Sequence, residues 1–262
     1  MDILLKVQKL KKSFGSTQVL HGLDFEVRRG DIVGYIGSNG SGKSTTVKLI
    51  LGLLSGYEGE IEIFGENIRS GDIGYKRRIG YVPEVAELYE TLTPREYLRF
   101  LSRIYETEEA DFLGRAQDML DIFGIAGSFD SRISSFSKGM KQKLVIVCSM
   151  VHNPDILFLD EPLSGLDANS VAVFKEVVDS LAKSGKTIFY SSHIMELVEK
   201  ISSRIILLKN GSILADRSMQ DLVRENRDHS LEEVFNELTG FEQKHDLAGR
   251  FVDSVLGGER HE

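Results

Sequence analysis

The sequence is short of cysteine and of long apolar runs, and each shortage excludes a class of protein. With Cys148 as its single cysteine, the chain has no intramolecular disulfide and no metal site built from several cysteines. We interpret Cys148 as a packing residue of the core. Even Leu144–Val151, an apolar stretch that contains Ser149, is far shorter than the roughly 18 residues that a membrane-spanning helix needs. The chain is therefore not expected to cross a membrane.

The start of the sequence does not resemble a secretory signal, and the chain has no strong excess of basic charge. Met1–Lys6 has neither the basic end nor the long apolar stretch of a secretory signal, so we expect a cytoplasmic protein. The net charge is −8 and the two signs are mixed along the chain, which argues against a duplex-DNA binder with a broad basic face. No nucleic-acid partner is expected. The hydrophobic and charged fractions, 41% and 27%, are those of an ordinary globular protein, so function must come from motifs.

The chain begins with two strand-like segments, which are followed by a strand, a loop and a helix. Leu4–Leu10 and Leu23–Val27 predict an antiparallel edge sheet. Asp31–Ile36 is typical of a buried strand, and Lys43–Leu53 has the apolar spacing of a helix. Because glycine and serine dominate the connection between them, a strand–loop–helix unit is predicted.

This connection matches the phosphate-binding P-loop pattern in the structural context that the pattern requires. Glycines allow successive backbone N–H groups to converge on phosphate oxygens, and the following helix start adds positive partial charge. Lys43 is expected to reach the β- and γ-phosphates of ATP and to assist catalysis there, and Ser44 to ligate Mg²⁺. The alternative is an ordinary glycine-rich turn. The predicted ATP-binding residues of this segment are Gly37, Ser38, Asn39, Gly40, Ser41, Gly42, Lys43, Ser44 and Thr45.

A second strand-like run, Ile156–Leu159, ends in two carboxylates, Asp160 and Glu161. In a parallel sheet, ligands bind outside the carboxyl ends of the strands. Asp160 suits a carboxylate linked to Mg²⁺, and Glu161 suits a catalytic base that polarises the water attacking the γ-phosphate. Taken alone, this pair could equally belong to a solvated loop. The P-loop earlier in the chain favours the functional interpretation.

Three further segments resemble motifs of the ATP-binding cassette family. Ser135–Lys143 resembles the signature motif of that family, Ser164–Asp167 resembles its D-loop, and His193, after the strand-like Thr187–Ser192, resembles its switch histidine. Order and spacing match over roughly residues 3–215. The resemblance implies an α/β fold, with a P-loop NTPase core built on a parallel sheet, an N-terminal antiparallel β subdomain and an inserted α-helical subdomain.

The resemblance also implies roles for residues outside the P-loop. Ser137 and Gly139 of the signature and Asp167 of the D-loop would bind ATP held by a second subunit, and His193 would contact the γ-phosphate. Phe14 occupies the place of the family's aromatic residue that stacks on adenine. The alternatives are a core position in the edge sheet for Phe14 and an ordinary helix-opening histidine for His193.

The sequence departs from the family pattern at two places. The signature usually reads Leu-Ser-Gly-Gly-Gln, and here Phe136, Lys138 and Met140 stand at its first, third and fifth positions. Lys138 could add charge near the phosphate or point to solvent, and the sequence leaves both open. The family's Q-loop glutamine is replaced by Glu84, whose carboxylate can still meet Mg²⁺ or water. Both departures resemble the branch of the family that powers simple bacterial exporters.

The rest of the sequence predicts the domain organisation. Thr93–Glu96 is a capping box, Ala110–Phe123 is an amphipathic helix, and Asn210-Gly211 is typical of a hairpin turn. The resemblance makes Glu84 and the turns near Val85–Leu92 the surface that contacts a transmembrane partner. The predicted ranges are 1–218 for the ATPase domain, about 85–152 for the helical subdomain inserted in it, and 219–262 for a short helical C-terminal extension.

A single set of cassette motifs implies a subunit that works with partners. Because the signature must come from a second subunit, the resemblance implies a head-to-tail dimer around two ATP molecules, formed with a second copy or a paralogous cassette subunit. The favoured function is ATP hydrolysis that powers transport by a separate integral-membrane permease. Export is the favoured direction, and the expected location is peripheral, on the cytoplasmic face of the cell membrane.

Two alternatives from other classes stay open at this point. A cassette ATPase that acts on a soluble assembly would co-sediment with ribosomes or DNA. A P-loop kinase for a small molecule would consume ATP in proportion to its phosphate acceptor.

Overall fold

The computed structural model describes residues 2–191 and 195–225, together with residues 233, 236, 254 and 255. The chain divides into two compact units, Met1–Met219 and Gln220–Glu262. All strands that the structure describes belong to the first unit, and the described residues of the second unit are helical.

The elements of the described residues have the following bounds. The strands are β1 (Ile3–Phe14), β2 (Thr17–Arg28), β3 (Ile32–Gly37), β4 (Glu58–Ile63), β5 (Glu66–Asn67), β6 (Ile79–Val82), β7 (Ile156–Asp160), β8 (Thr187–Ser191), β9 (Arg204–Lys209) and β10 (Ser212–Ser218). The helices are α1 (Lys43–Ile50), α2 (Pro94–Ile104), α3 (Glu109–Ile122), α4 (Lys138–Met150), α5 (Ala168–Lys183), α6 (Met195–Ile201) and α7 (Met219–Glu225).

An antiparallel sheet forms the N-terminal part of the first unit, with the strand order β2-β1-β4-β5. This confirms the predicted antiparallel β subdomain. β1 continues to Phe14 rather than ending at the predicted Leu10. The prediction stopped early because the three residues after Leu10 are polar and the pairing with β2 shifts register again at Leu10/Lys11 and Lys12/Ser13, which breaks the apolar alternation.

The second sheet has the order β10-β9-β3-β8-β7-β6, and the neighbours from β9 to β6 run parallel. Strands β3, β7 and β8 are almost entirely buried, as expected for parallel strands covered on both faces. Because the strands from β9 to β6 all run parallel, the carboxyl ends of β3, β7 and β6 lie at one edge of the sheet. This arrangement confirms the predicted α/β fold with a P-loop core, and it places the segments that follow Gly37, Asp160 and Val82 side by side.

Helices α2, α3 and α4 contact one another in the part of the chain between β6 and β7. The predicted capping box begins α2, since the Glu96 amide donates to Thr93 Oγ1 (3.2 Å) and the Thr93 amide donates to Glu96 Oε2 (2.9 Å). In α4, burial raises the pKa of the Cys148 thiol, which agrees with a packing role. Within the described residues, no helix is both long and apolar enough to span a membrane.

Two turns test local predictions. Helix α1 ends at Ile50, so its predicted extension to Leu53 is wrong: Gly52 has a φ of 65° and turns the chain out of the helix, leaving Leu53 exposed. The predicted hairpin is confirmed, because Asn210 and Gly211 have φ values of 46° and 73° and join the paired strands β9 and β10.

Candidate functional site

The site is built around the loop between β3 and α1, where glycine is required for space and for backbone conformation. A Cβ atom at Gly37 would lie 2.5 Å from the Leu208 carbonyl oxygen, and one at Gly42 would lie 2.6 Å from Leu20 Cδ2. Gly42 also has a φ of 105° at the start of α1, and Gly40 has a φ of 77°. The loop is exposed over residues 38–40 and buried again from Ser41. Its tip is therefore open to a ligand while both ends are packed.

Lys43, the first residue of α1, is buried with its ammonium group folded back over the loop. Its Nζ donates to the carbonyl oxygens of Gly37 (2.7 Å) and Ser38 (3.1 Å). Burial lowers the Lys43 pKa, whereas the carboxylates of Glu161, Asp160 and Glu84 oppose that shift. The structure therefore places this lysine in the electrostatic field of all three predicted acidic residues.

The loop has supports that the sequence reasoning missed. Thr46 Oγ1 donates to the Gly42 carbonyl (2.9 Å), and the buried Tyr35 hydroxyl donates to Thr46 Oγ1 (3.1 Å). The amide of Gly211, in the β9–β10 hairpin, donates to the Ser41 carbonyl (3.0 Å). The Thr46 contact is local to the start of α1, whereas no local pattern signalled the contacts of Tyr35 and Gly211, because only the fold brings these two residues near the loop.

Ser44 and Asp160 meet at the carboxyl edge of the sheet, and Glu84 lines the same cavity of about 740 Å³. Ser44 Oγ donates to Asp160 Oδ1 at 3.3 Å. Burial raises the Asp160 pKa, and the hydrogen bond from Ser44 acts in the opposite direction. Residues from the P-loop, from the end of β7 and from the segment after β6 are thus brought together as the sequence predicted.

Ser44, Asp160 and Glu84 carry the oxygen atoms that Mg²⁺ prefers as ligands. In the described part of the chain, no group of three or more histidine, cysteine, aspartate or glutamate residues could hold a metal ion by itself. Mg²⁺ needs no such group, because it is usually bound by one or two carboxylates and takes its remaining ligands from phosphates and water. A hydroxyl at Ser44 beside the carboxylate of Asp160 fits that pattern.

Glu161 follows Asp160 directly but has a different backbone conformation. Its φ is 47°, in the left-handed region that residues other than glycine rarely adopt. Its amide donates to the carbonyl of Ser191, at the end of β8 (2.9 Å). Such conformations cluster at functional sites, where the surrounding structure holds them in place.

Ser137, Gly139 and Asp167 form a second group at the starts of α4 and α5. Ser137 Oγ caps α4 by accepting from the Met140 amide (3.2 Å). Asp167 caps α5, accepts from both the amide (2.9 Å) and the hydroxyl (2.7 Å) of Ser170, and pairs with Lys143 Nζ at 2.9 Å. The Lys143 interaction and these hydrogen bonds lower the Asp167 pKa. Its carboxylate is thus engaged within its own subunit.

Of the two remaining predicted residues, Phe14 is described by the structure and His193 is not. Phe14 is 47% exposed at the end of β1, so the alternative of a core position is wrong. Lys12 Nζ lies 4.8 Å from the centre of the Phe14 ring and donates to the Ser55 carbonyl (2.7 Å). His193 lies outside the described residues, and its predicted γ-phosphate contact stays a prediction.

Comparisons with known proteins agree with this arrangement. A profile described as ABC transporter matches residues 20–164. The bacitracin transport ATP-binding protein BcrA of Bacillus licheniformis is 36% identical over 228 residues, which cover 87% of this chain and 74% of that protein. The linearmycin resistance ATP-binding protein LnrL of Bacillus subtilis (strain 168) is 34% identical over 219 residues, 84% of this chain and 70% of that protein. A solved ATP binding subunit of an ABC transporter has a TM-score of 0.84 and 36% identity, with 90% of this chain and 99% of that one covered.

Proposed function

The chain belongs to the ABC transporter family and is an ATP-binding, ATP-hydrolysing cassette of that family, and from this premise we propose that it powers export through a separate integral-membrane permease. The observation that carries the ATPase part of this proposal is the convergence of Lys43, Ser44 and Asp160 at one edge of the parallel sheet, beside Glu161.

ATP binding is assigned to the P-loop and to one aromatic residue. The amide groups from Gly37 to Thr45 and the ammonium group of Lys43 would bind the phosphates, with the start of α1 adding positive partial charge. Lys43 would exchange its hydrogen bonds to the Gly37 and Ser38 carbonyls for bonds to phosphate oxygens. The exposed ring of Phe14 would stack on adenine.

Mg²⁺ is the metal we propose, with Ser44 and Asp160 as its protein ligands and Glu84 facing it directly or through water. When bound with ATP, the ion neutralises charge on the phosphates. Glu161 would polarise the attacking water, and His193 would contact the γ-phosphate. The raised pKa of Asp160 follows mainly from burial, so a nearby cation would favour its charged form.

The complete site would need a second subunit. We assign Ser137, Gly139 and Asp167 to the face that meets ATP held by a second copy or by a paralogous cassette subunit. Ser137 caps α4, whose first turn contains no acidic residue, so this helix start presents positive partial charge to a phosphate. The dimer would be head-to-tail and would enclose two ATP molecules.

Three observations support export and a membrane partner. One relative is named for bacitracin transport and the other for linearmycin resistance, and removal of a toxic compound from the cell leads directly to resistance. The surface near Glu84 exposes Val85 (65%) and Tyr89 (63%), which suits contact with an apolar protein segment. We therefore place the protein peripherally, on the cytoplasmic face of the membrane.

Glu161→Gln tests the composite site. The variant is expected to bind ATP with Mg²⁺, to lose hydrolysis by about a hundredfold or more because it lacks the base, and to accumulate as a dimer. Turnover assays and light scattering across a concentration series measure both effects. Lys43→Ala is the control, since it should abolish nucleotide binding and leave the protein monomeric. Normal hydrolysis by Glu161→Gln, or a monomer at every concentration with ATP, would contradict the mechanism.

The membrane partner requires its own experiment. The protein is tagged in its native cell, membranes are solubilised in mild detergent, and co-purifying proteins are identified by mass spectrometry. A stoichiometric multi-spanning protein is the expected result. If the membrane preparation was intact before solubilisation and only soluble proteins co-purify, the transporter assignment is contradicted.

A further inference from the structure

The start of α4 is in close contact with the segment Pro162–Asp167, here called the 162–167 loop, which follows Glu161 directly. A Cβ atom at Gly139 would lie only 2.7 Å from the carbonyl oxygen of Gly165. The helix and the loop can approach this closely because residue 139 has no side chain.

Lys138 lies across this contact, although the residue is exposed to solvent. Its Nζ is 3.3 Å from Ser164 Oγ and donates a hydrogen bond to it. Its Cγ, Cδ and Cε atoms each lie 3.2 Å from the position that a Cβ atom would occupy at Gly165. The stem of the lysine thus lies beside the exposed Gly165, while its ammonium group donates to the neighbouring hydroxyl.

Two hydrogen bonds connect Lys138 with Glu161. The first is the Lys138–Ser164 hydrogen bond, and the second runs from the Ser164 amide to the Glu161 carbonyl oxygen (3.2 Å). The second bond closes a turn that runs from Glu161 to Ser164, and Glu161 is its first residue, with a φ of 47° that has to be maintained by its surroundings. A group that fixes Ser164 therefore also restrains the backbone from which the Glu161 side chain projects.

The same helix holds the 162–167 loop at its two ends. Gln142 Nε2 donates to the Pro162 carbonyl oxygen (3.1 Å), and Lys143 Nζ pairs with the Asp167 carboxylate (2.9 Å). Lys138 supplies the contact in the middle of the loop. The loop is thus attached to α4 near its beginning, middle and end.

We propose that Lys138 is a positioning residue for ATP hydrolysis, acting through Ser164 on the backbone of Glu161 in its own subunit. This inference rests on the proposed role of Glu161. It differs from a direct role of the ammonium group on ATP held by the second subunit. The two roles predict different kinetics, because positioning alters the rate of the chemical step, whereas a direct phosphate contact also contributes to ATP binding.

A double-mutant cycle of Lys138→Met and Ser164→Ala tests the proposal. Methionine keeps an unbranched stem over Gly165 and removes the donor, and alanine removes the acceptor. Each single variant is expected to lower kcat by about fivefold with KM unchanged, as for the loss of one hydrogen bond of ordinary strength. In the Ser164→Ala background, Lys138→Met should add less than about twofold, because the interaction is already absent.

Two further variants complete the experiment. Lys138→Arg keeps a donor and should retain at least about half of the wild-type kcat. Lys183→Met is the matched control, since Lys183 is exposed and makes one comparable contact, with Asp179 at 2.6 Å, away from the loop. Its kcat should equal that of the wild type. Because Lys138 is exposed and Ser164 partly exposed, the variants should fold, and thermal unfolding checks this.

The outcomes separate this inference from the proposed function. Additive effects in the cycle, a rise in KM for Lys138→Met, or an unchanged kcat would each overturn the positioning role. Glu161→Gln is measured in parallel. If that variant is inactive while Lys138→Met is normal, the inference alone is wrong. If Glu161→Gln hydrolyses ATP normally, the proposed function is wrong and the inference with it.

Discussion

At the scale of single residues, this site consists of charged groups that are removed from water and held near one another. Asp160 is 2% exposed and Lys43 is 8% exposed. Burial raises the pKa of Asp160 and lowers that of Lys43, and each shift reflects the cost of keeping an ion in a poorly solvated place. The attraction between the two groups offsets part of that cost. Bound Mg²⁺ and phosphates would offset more of it.

The raised pKa of Asp160 gives a prediction about the stability of the nucleotide-free protein. An unfolded aspartate titrates near pH 3.9, so between that pH and the higher pKa of folded Asp160 the folded protein holds a proton that the unfolded chain has lost. The free energy of unfolding therefore falls as pH rises through the folded pKa. Asp160→Asn lacks this titration, so its free energy of unfolding relative to the wild type should increase as pH rises.

Urea unfolding in EDTA, from about pH 4.5 to about pH 8, measures this difference. Asp121→Asn, at an exposed position of α3, is the control for the substitution itself and should change the free energy of unfolding by less than about 0.5 kcal/mol. A stability difference for Asp160→Asn that is constant over the same range would show that Asp160 does not titrate differently in the folded state.

At the scale of elements, two helical glycines with different surroundings show what contact between elements requires. Gly139, in α4, faces the Gly165 carbonyl, and a Cβ atom there would be 2.7 Å from it. Gly114, in α3, has no atom within 4 Å of the corresponding position. The first glycine allows close approach between a helix and a loop, whereas the second has no packing function and weakens its helix.

Alanine at these two positions should therefore have opposite effects. Gly114→Ala should raise the free energy of unfolding by about 0.5–1 kcal/mol, because alanine is the better helix former. Gly139→Ala should lower that free energy by about 1 kcal/mol and reduce kcat by about tenfold, since α4 and the 162–167 loop must separate. Denaturant unfolding and ATPase assays measure the pair. Wild-type turnover by Gly139→Ala would contradict the importance of this contact.

At the scale of the whole molecule, the site results from the direction of the parallel strands. β3, β7 and β6 are far apart in sequence, yet their carboxyl ends lie at one edge of the sheet. The described residues of the site belong to the unit Met1–Met219, as do both sheets. The charge of −8 is carried by the whole chain and does not define the site.

This organisation predicts the effect of shortening the chain. A protein of residues 1–225 is expected to unfold cooperatively and to bind ATP with a Kd within about twofold of the full chain, because the first unit has its own core. Thermal unfolding and a titration with a fluorescent ATP analogue provide the measurements, with Lys43→Ala in the same short chain as the negative control. Loss of cooperative unfolding would show that the first unit depends on residues 226–262.

Much of the fold and of the candidate site could be predicted from the sequence, and the successful predictions share a physical basis. The P-loop, the Thr93–Glu96 capping box and the Asn210-Gly211 turn depend on a few neighbouring residues. In each case a backbone conformation or a helix end requires particular side chains, so a short pattern is informative. The ends of β1 and α1 were predicted less well, because a bulge and a left-handed glycine interrupt the periodic pattern.

The tertiary structure alone decided how distant segments meet. No periodicity indicates that Lys138 lies over Gly165, that Asp167 pairs with Lys143, or that the amide of Gly211 supports Ser41. For Lys138 the sequence left two directions open, and its side chain takes a third, against the loop of its own subunit. Residue types and short spacings determine local chemistry, whereas contacts between segments depend on how the strands and helices pack.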